Sequence, residues 1–137
     1  MKREKWFMKN TSMPEAGTMK LRFITPTLHG VADYSAGIGL ILAPFVLNLG
    51  QGQSIAFWFS VLTGVAVIGT SLLTDYKFSA IRLIPFQGHL AIDLLVAVAF
   101  MILPFAFGLM GIEAAYYWFN ATVVFLVVSL SSINNNN

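Results

Sequence analysis

Four long stretches of this sequence, residues 27–47, 55–73, 87–109 and 114–131, are almost free of charge. About 20 predominantly apolar residues are needed for a helix to cross the roughly 30 Å hydrocarbon core of a bilayer. Buried helices of soluble proteins normally keep one polar face, and these stretches keep almost none. Turn formers separate them, with Asn48, Gly50 and Gly52 in the first joint and Gly111 and Glu113 in the last. Composition agrees: 10% of the 137 residues are charged, against roughly 25% in soluble domains. The prediction is an all-α integral membrane four-helix bundle. A soluble globular enzyme, a disordered chain and a nucleic-acid binder are disfavoured, and a net charge of +2 is too weak to mark a polyanion partner. With no cysteine there is no disulfide frame, thiolate metal site or thiol nucleophile.

The basic residues give an orientation. Lys2, Arg3, Lys5, Lys9, Lys20 and Arg22 precede the first span, and Lys77 and Arg82 lie between the second and third. Neither remaining loop carries Lys or Arg, so all eight fall on one side of a double hairpin. Positive charge marks the cytoplasmic side, which predicts a multi-pass protein with both termini in the cytoplasm. Residues 1–21 read as a basic cytoplasmic tail without the apolar run or small-residue cleavage site of a signal peptide. Residues 133–137 read as a polar, disordered end.

The chain also repeats itself. A shift of sixty residues, taken without a gap, aligns Arg22 with Arg82, Ile24 with Ile84, His29 with His89 and Asp33 with Asp93. It also aligns Pro44-Phe45 with Pro104-Phe105, Leu49 with Leu109 and Trp58-Phe59 with Trp118-Phe119. These residue types are scarce in the chain, so the match is informative. It predicts two tandem helical hairpins, residues 22–81 and 82–132. With two spans per unit the hairpins share one orientation, and their pseudo-axis runs along the membrane normal.

The first span of each hairpin ends near a proline–aromatic triplet, Ala43-Pro44-Phe45 and Leu103-Pro104-Phe105. Around them stand His29-Gly30 with Asp33-Tyr34, Thr74-Asp75-Tyr76, Ile84-Pro85 and His89-Leu90 with Asp93. In these residues the sequence resembles the SPW-repeat family of small bacterial membrane proteins. That family carries Ser-Pro-Trp at the place of the triplet, of which the proline and an aromatic residue are kept here. The resemblance covers residues 22–130. It implies a small polytopic protein of the bacterial cytoplasmic membrane and no particular activity.

Any chemistry should centre on His29, Asp33, His89 and Asp93. The two aspartates are the only acids inside the spans, and an ionisable residue at a span's centre costs about 2.5–3.5 kcal/mol on insertion scales. Each follows a histidine by four residues, so the pair shares a helix face. These faces continue through Ala36, Leu40 and Pro44 in one repeat and Ala97, Phe100 and Pro104 in the other. Pseudo-symmetry should bring them together near the cytoplasmic side, level with Arg22, Asp75, Tyr76 and Arg82. Ser35, Gly39 and Ala43, spaced by four, suit close helix approach.

Four readings of that cluster are open. It can be structural, with each carboxylate bonded to a histidine or to a neighbouring arginine. It can handle protons or ions. It can bind a metal through two imidazoles and two carboxylates. It can ligate haem through His29 and His89. The structural reading is preferred, with no cofactor, because no series of polar residues continues through the far half of the spans. No phosphate-binding glycine loop, zinc-protease motif or serine-hydrolase motif is present, so no enzymatic activity is expected. The alternative is a transporter of protons, ions or small solutes that uses the duplicated His/Asp pairs. Expected partners are the lipid bilayer and further copies of the chain or a larger membrane complex.

Elsewhere, Pro44 and Pro104 should end their helices. Trp58 and Trp118, with Phe57, Tyr116 and Tyr117, read as an interfacial aromatic belt. Residues 76–83 suit a short amphipathic helix along the interface, and Glu113 reads as a solvated loop acid.

Overall fold

The computed structural model describes residues 22–133. The expected tail at 1–21 and the polar end at 134–137 lie outside the described residues. Four helices follow in order: α1 Pro26–Val46, α2 Ser54–Leu73, α3 Phe86–Phe107 and α4 Gly111–Leu130. Their 20 to 22 residues give each a length of about 30 Å. All four are long and apolar enough to cross a membrane. Their outward side chains are mostly apolar, with Leu95 70% and Phe105 74% exposed, and the exposed Ser35, Thr122 and Ser129 hydroxyls bond to carbonyls of their own helix. The protein is therefore an all-α, multi-pass membrane bundle.

Local chemistry sets the helix ends. Thr25 caps α1, its hydroxyl accepting the Leu28 N–H at 3.2 Å, and Pro26 occupies the first turn, where no N–H partner is needed. Pro44 and Pro104 each sit in the last turn of their helix. Beyond them Asn48 (φ 51°) and Gly108 (φ 62°) turn left-handed. The Leu49 and Leu109 N–H groups then bond back to the Pro44 and Pro104 carbonyls, both at 2.9 Å. Both prolines thus belong to helix stops.

Two hairpins, α1–α2 and α3–α4, close into a ring. The Ile24 N–H donates to the Leu130 carbonyl (3.0 Å) and the Ser132 N–H to the Ile24 carbonyl (2.8 Å). The Ile84 N–H donates to the Leu73 carbonyl and the Asp75 N–H to the Ile84 carbonyl, both at 2.8 Å. Each hairpin thus starts where the other ends, as a pseudo-two-fold along the bundle requires. These contacts also revise the repeat. The sixty-residue offset holds from Ile24 through Leu49. In the return helices the equivalent residues are 57 apart, Leu73 with Leu130 and Thr74 with Ser131. The joint after Leu109 is three residues shorter than the joint after Leu49. Trp58 and Trp118 are therefore not structural counterparts, although both are exposed as expected of interface residues.

The tightest helix approach lies at Gly37 and Gly64, not at Gly39, which has open space around it. A Cβ at Gly64 would sit 2.6 Å from the Gly37 carbonyl oxygen. The second hairpin has Ala97 and Ala121 at the equivalent positions, both fully buried. Gly37 also takes the inward place expected for Ala36, which is exposed. Leu40, Phe100, Leu103, Tyr117 and Ala121 fill the shared core.

Residues 76–83 form no helix. Tyr76 instead turns inward and is 5% exposed. Tyr116 and Tyr117 are buried too, so they are not part of an aromatic belt. The helix already begins at Gly111, and that phase turns Glu113, Ala114, Tyr117 and Ala121 inward.

Candidate functional site

The first turns of α1 and α3 carry His29 and His89, and one turn later come Asp33 and Asp93. All four are buried, and one donor atom from each lies within 4.8 Å of the other three. The shortest contacts cross between repeats. His29 Nε2 is 2.9 Å from Asp93 Oδ2, and His89 Nε2 is 2.8 Å from Asp33 Oδ2. Within each helix the corresponding contacts are 3.3 Å. The cluster expected from the sequence is thus assembled as a crossed square.

The other ring nitrogens reveal how the square is oriented. His29 Nδ1 lies 2.8 Å from Ser131 Oγ, and His89 Nδ1 lies 2.8 Å from Thr74 Oγ1. Each hydroxyl already donates its one hydrogen to a carbonyl a turn earlier, Ser131 to Val127 and Thr74 to Thr70, both at 2.7 Å. The hydroxyl oxygens can then only accept, so both Nδ1 atoms carry hydrogen and donate. In a neutral ring this leaves each Nε2 with a lone pair facing a carboxylate. Two such electron-rich atoms 2.8–2.9 Å apart hold together only with a cation between them, a proton or a metal ion.

Asp33 is the more heavily bonded acid. Its Oδ2 also accepts from Ser71 Oγ and the Tyr76 hydroxyl, both at 3.3 Å. Burial, with the nearby Asp33 carboxylate, pushes the Tyr76 phenol up, so it remains a donor. Phe86 meets the His29 ring edge-on at 5.3 Å, and Tyr76 meets the His89 ring at 5.9 Å. An apolar cavity of about 80 Å³ opens beside His29, Asp33 and Asp93, walled by Val67, Val96 and Val124.

The expected arginine partners are not there. Arg82 pairs with Asp75 at 3.3 Å on the surface, each side chain more than half exposed, and Arg22 is exposed. Burying a guanidinium is costly, and from these surface positions both arginines can stay in water. Haem ligation does not fit, because the aspartate oxygens occupy the space between the two imidazoles.

A second polar set lies in the far half of the bundle. The Ser60 hydroxyl donates to the Leu40 carbonyl at 2.7 Å and meets the Tyr116 hydroxyl at 2.6 Å. Tyr117 donates to the Ala56 carbonyl at 2.6 Å. Glu113 is buried rather than solvated, and accepts the Gly50 and Gly52 N–H groups at 2.8 and 3.4 Å. Sequence reasoning missed this set, together with Thr74, Ser131 and Ser71. The usable signal was the 57-residue offset, which pairs Thr74 with Ser131.

A multi-pass bundle of two hairpins, each with a proline-terminated first span and a buried His/Asp pair, is what fold and site define. The SPW repeat domain matches residues 27–134, and the chain belongs to that family. No curated protein and no solved structure matches the chain.

Proposed function

We propose that this protein has a structural or accessory role in the membrane, without catalytic activity, and that the His/Asp square clamps its two hairpins together. The observation that carries this reading is the crossing of the square, since each histidine makes its short contact with the aspartate of the other repeat. A hairpin alone would bury a histidine and a carboxylate with half their partners missing, which an apolar medium penalises heavily. Docking of the hairpins and satisfaction of these groups are therefore one event.

Conduction of protons, ions or small solutes has less support. Ala97 and Phe100, both fully buried, place apolar side chains between the square and the Ser60–Tyr116 set. The test combines two measurements on His29→Ala and Asp93→Asn. Both variants should unfold at lower temperature in detergent, and vesicles with the wild-type protein should show no proton or solute flux above lipid alone. Flux in wild type that vanishes in variants of unchanged stability would defeat the proposal.

We place both termini in the cytoplasm and the protein in a bacterial cytoplasmic membrane. The basic residues flanking α1 and the α2–α3 joint support this side. A C-terminal reporter should be active only on the inner face. The apolar exterior is assigned to lipid, with self-association or docking in a larger complex as further expectations.

A further inference from the structure

We infer that the square formed by His29, Asp33, His89 and Asp93 binds one divalent transition-metal ion of the Zn2+ and Co2+ class. This goes beyond the clamp reading and stands independently of it, on the orientation, spacing, charge and closure of the donor set.

Orientation is set by the hydroxyls of Ser131 and Thr74, which fix both imidazoles with Nδ1–H outward and Nε2 inward. Histidines that ligate metals almost always donate the other ring N–H to such an outer partner, which fixes the tautomer and the ring angle. Here that arrangement occurs twice, in pseudo-symmetric copies. Asp33 is held in the same way by Ser71 and Tyr76.

Spacing suits a small four-coordinate ion. Ligands about 2.0–2.1 Å from a tetrahedral centre lie about 3.3–3.4 Å from one another. The short edges of the square are 2.8, 2.9 and 3.3 Å to Asp33 Oδ2 and Asp93 Oδ2, the other 3.3 Å contact reaches Asp33 Oδ1, and one donor atom from each residue lies within 4.8 Å of the rest. To complete a tetrahedral shell the shortest edges would open by about half an ångström and the widest donor pair would close by up to about 1.4 Å. Two imidazole nitrogens with two carboxylate oxygens suit zinc and its neighbours. Magnesium and calcium prefer six or more oxygens, which this site, ringed by Phe86 and Tyr76, does not offer.

Charge points the same way. Two buried carboxylates face each other, and among the described residues no lysine or arginine reaches them. One divalent ion neutralises both. Four protein ligands leave no open position, the mark of a structural site rather than a hydrolytic one.

The test uses the full-length protein in detergent, stripped with a chelator and titrated with Co2+ and then Zn2+. One Co2+ per chain should bind with the intense visible bands of four-coordinate cobalt, and Zn2+ should erase them. Asp93→Asn should lose the bands. Thr74→Val leaves all four ligands in place and should weaken Zn2+ binding about 10–100-fold. A folded wild-type protein without four-coordinate bands, or bands that survive in Asp93→Asn, would overturn the inference. Melting of the stripped proteins keeps the two ideas apart. If metal fails to bind but stripped Asp93→Asn still melts early, the clamp stands alone; if metal binds and stripped variants melt like wild type, only the clamp fails.

Discussion

The bundle buries polar groups at both ends, and the two ends solve the same problem differently. Where α1 and α3 begin, four ionisable side chains satisfy one another across the repeat boundary. Where α2 and α4 begin, neutral hydroxyls bond mainly to backbone carbonyls, and Glu113 takes backbone N–H groups. The square obeys the pseudo-symmetry, whereas the far end breaks it, because Ser60 is matched by Tyr117 and Ala56 by Glu113 in the 57-residue register. Charge is thus concentrated at the end that keeps the pseudo-symmetry. The far end also joins the two hairpins, but through unmatched residues, with Glu113, Tyr116 and Tyr117 of one bonding to Gly50, Ser60 and Ala56 of the other.

Mutagenesis can break or sharpen this contrast. The largest effect belongs to Asp33→Asn, which strips a charge from the square and disturbs Ser71 and Tyr76. Removing one partner of a buried ion pair costs about 3–5 kcal/mol, and chemical unfolding in detergent should show a loss of that order, larger than for Asp93→Asn. Next comes Glu113→Gln. Hydrogen bonds to charged groups are worth about 1.5–3 kcal/mol, so the same assay should register a loss within that range. Tyr116→Phe should cost less. Interhelical side-chain hydrogen bonds in membranes average about 0.6 kcal/mol, and Ser60 keeps its bond to the Leu40 carbonyl. Should Tyr116→Phe match Asp33→Asn, the two ends would be energetically equal and the contrast would collapse. Smallest is Arg82→Gln, since an exposed ion pair contributes at most about 1 kcal/mol; a change as large as that of Glu113→Gln would show that Arg82 supports the square after all.

The spans, the double hairpin and the meeting of His29, Asp33, His89 and Asp93 could be read from the sequence. Charge is so rare in this chain that two acids in matched settings have few alternatives to meeting. Thr74 and Ser131 could not be read, because hydroxyl residues are common near span ends and the gapless offset placed them out of register. The matched Trp58 and Trp118 reinforced that offset by coincidence. Glu113 looked like a loop acid because its partners, Gly50 and Gly52, lie more than sixty residues away. The arginines were misassigned for a related reason. Level in the membrane does not fix direction, and a surface guanidinium keeps its water by pairing with Asp75.

The crossed pairing has a consequence for assembly. Each hairpin carries one histidine and one aspartate, which is half a site, and its short contacts are made only with the other half. Two copies of a single hairpin related by a true two-fold would complete the same square. In this chain the segment from Thr74 to Pro85 fuses the halves. Meeting of the half-sites becomes intramolecular and insensitive to how much protein the membrane holds. Fusion also frees each half to diverge, as the Gly64 and Ala121 pair already shows.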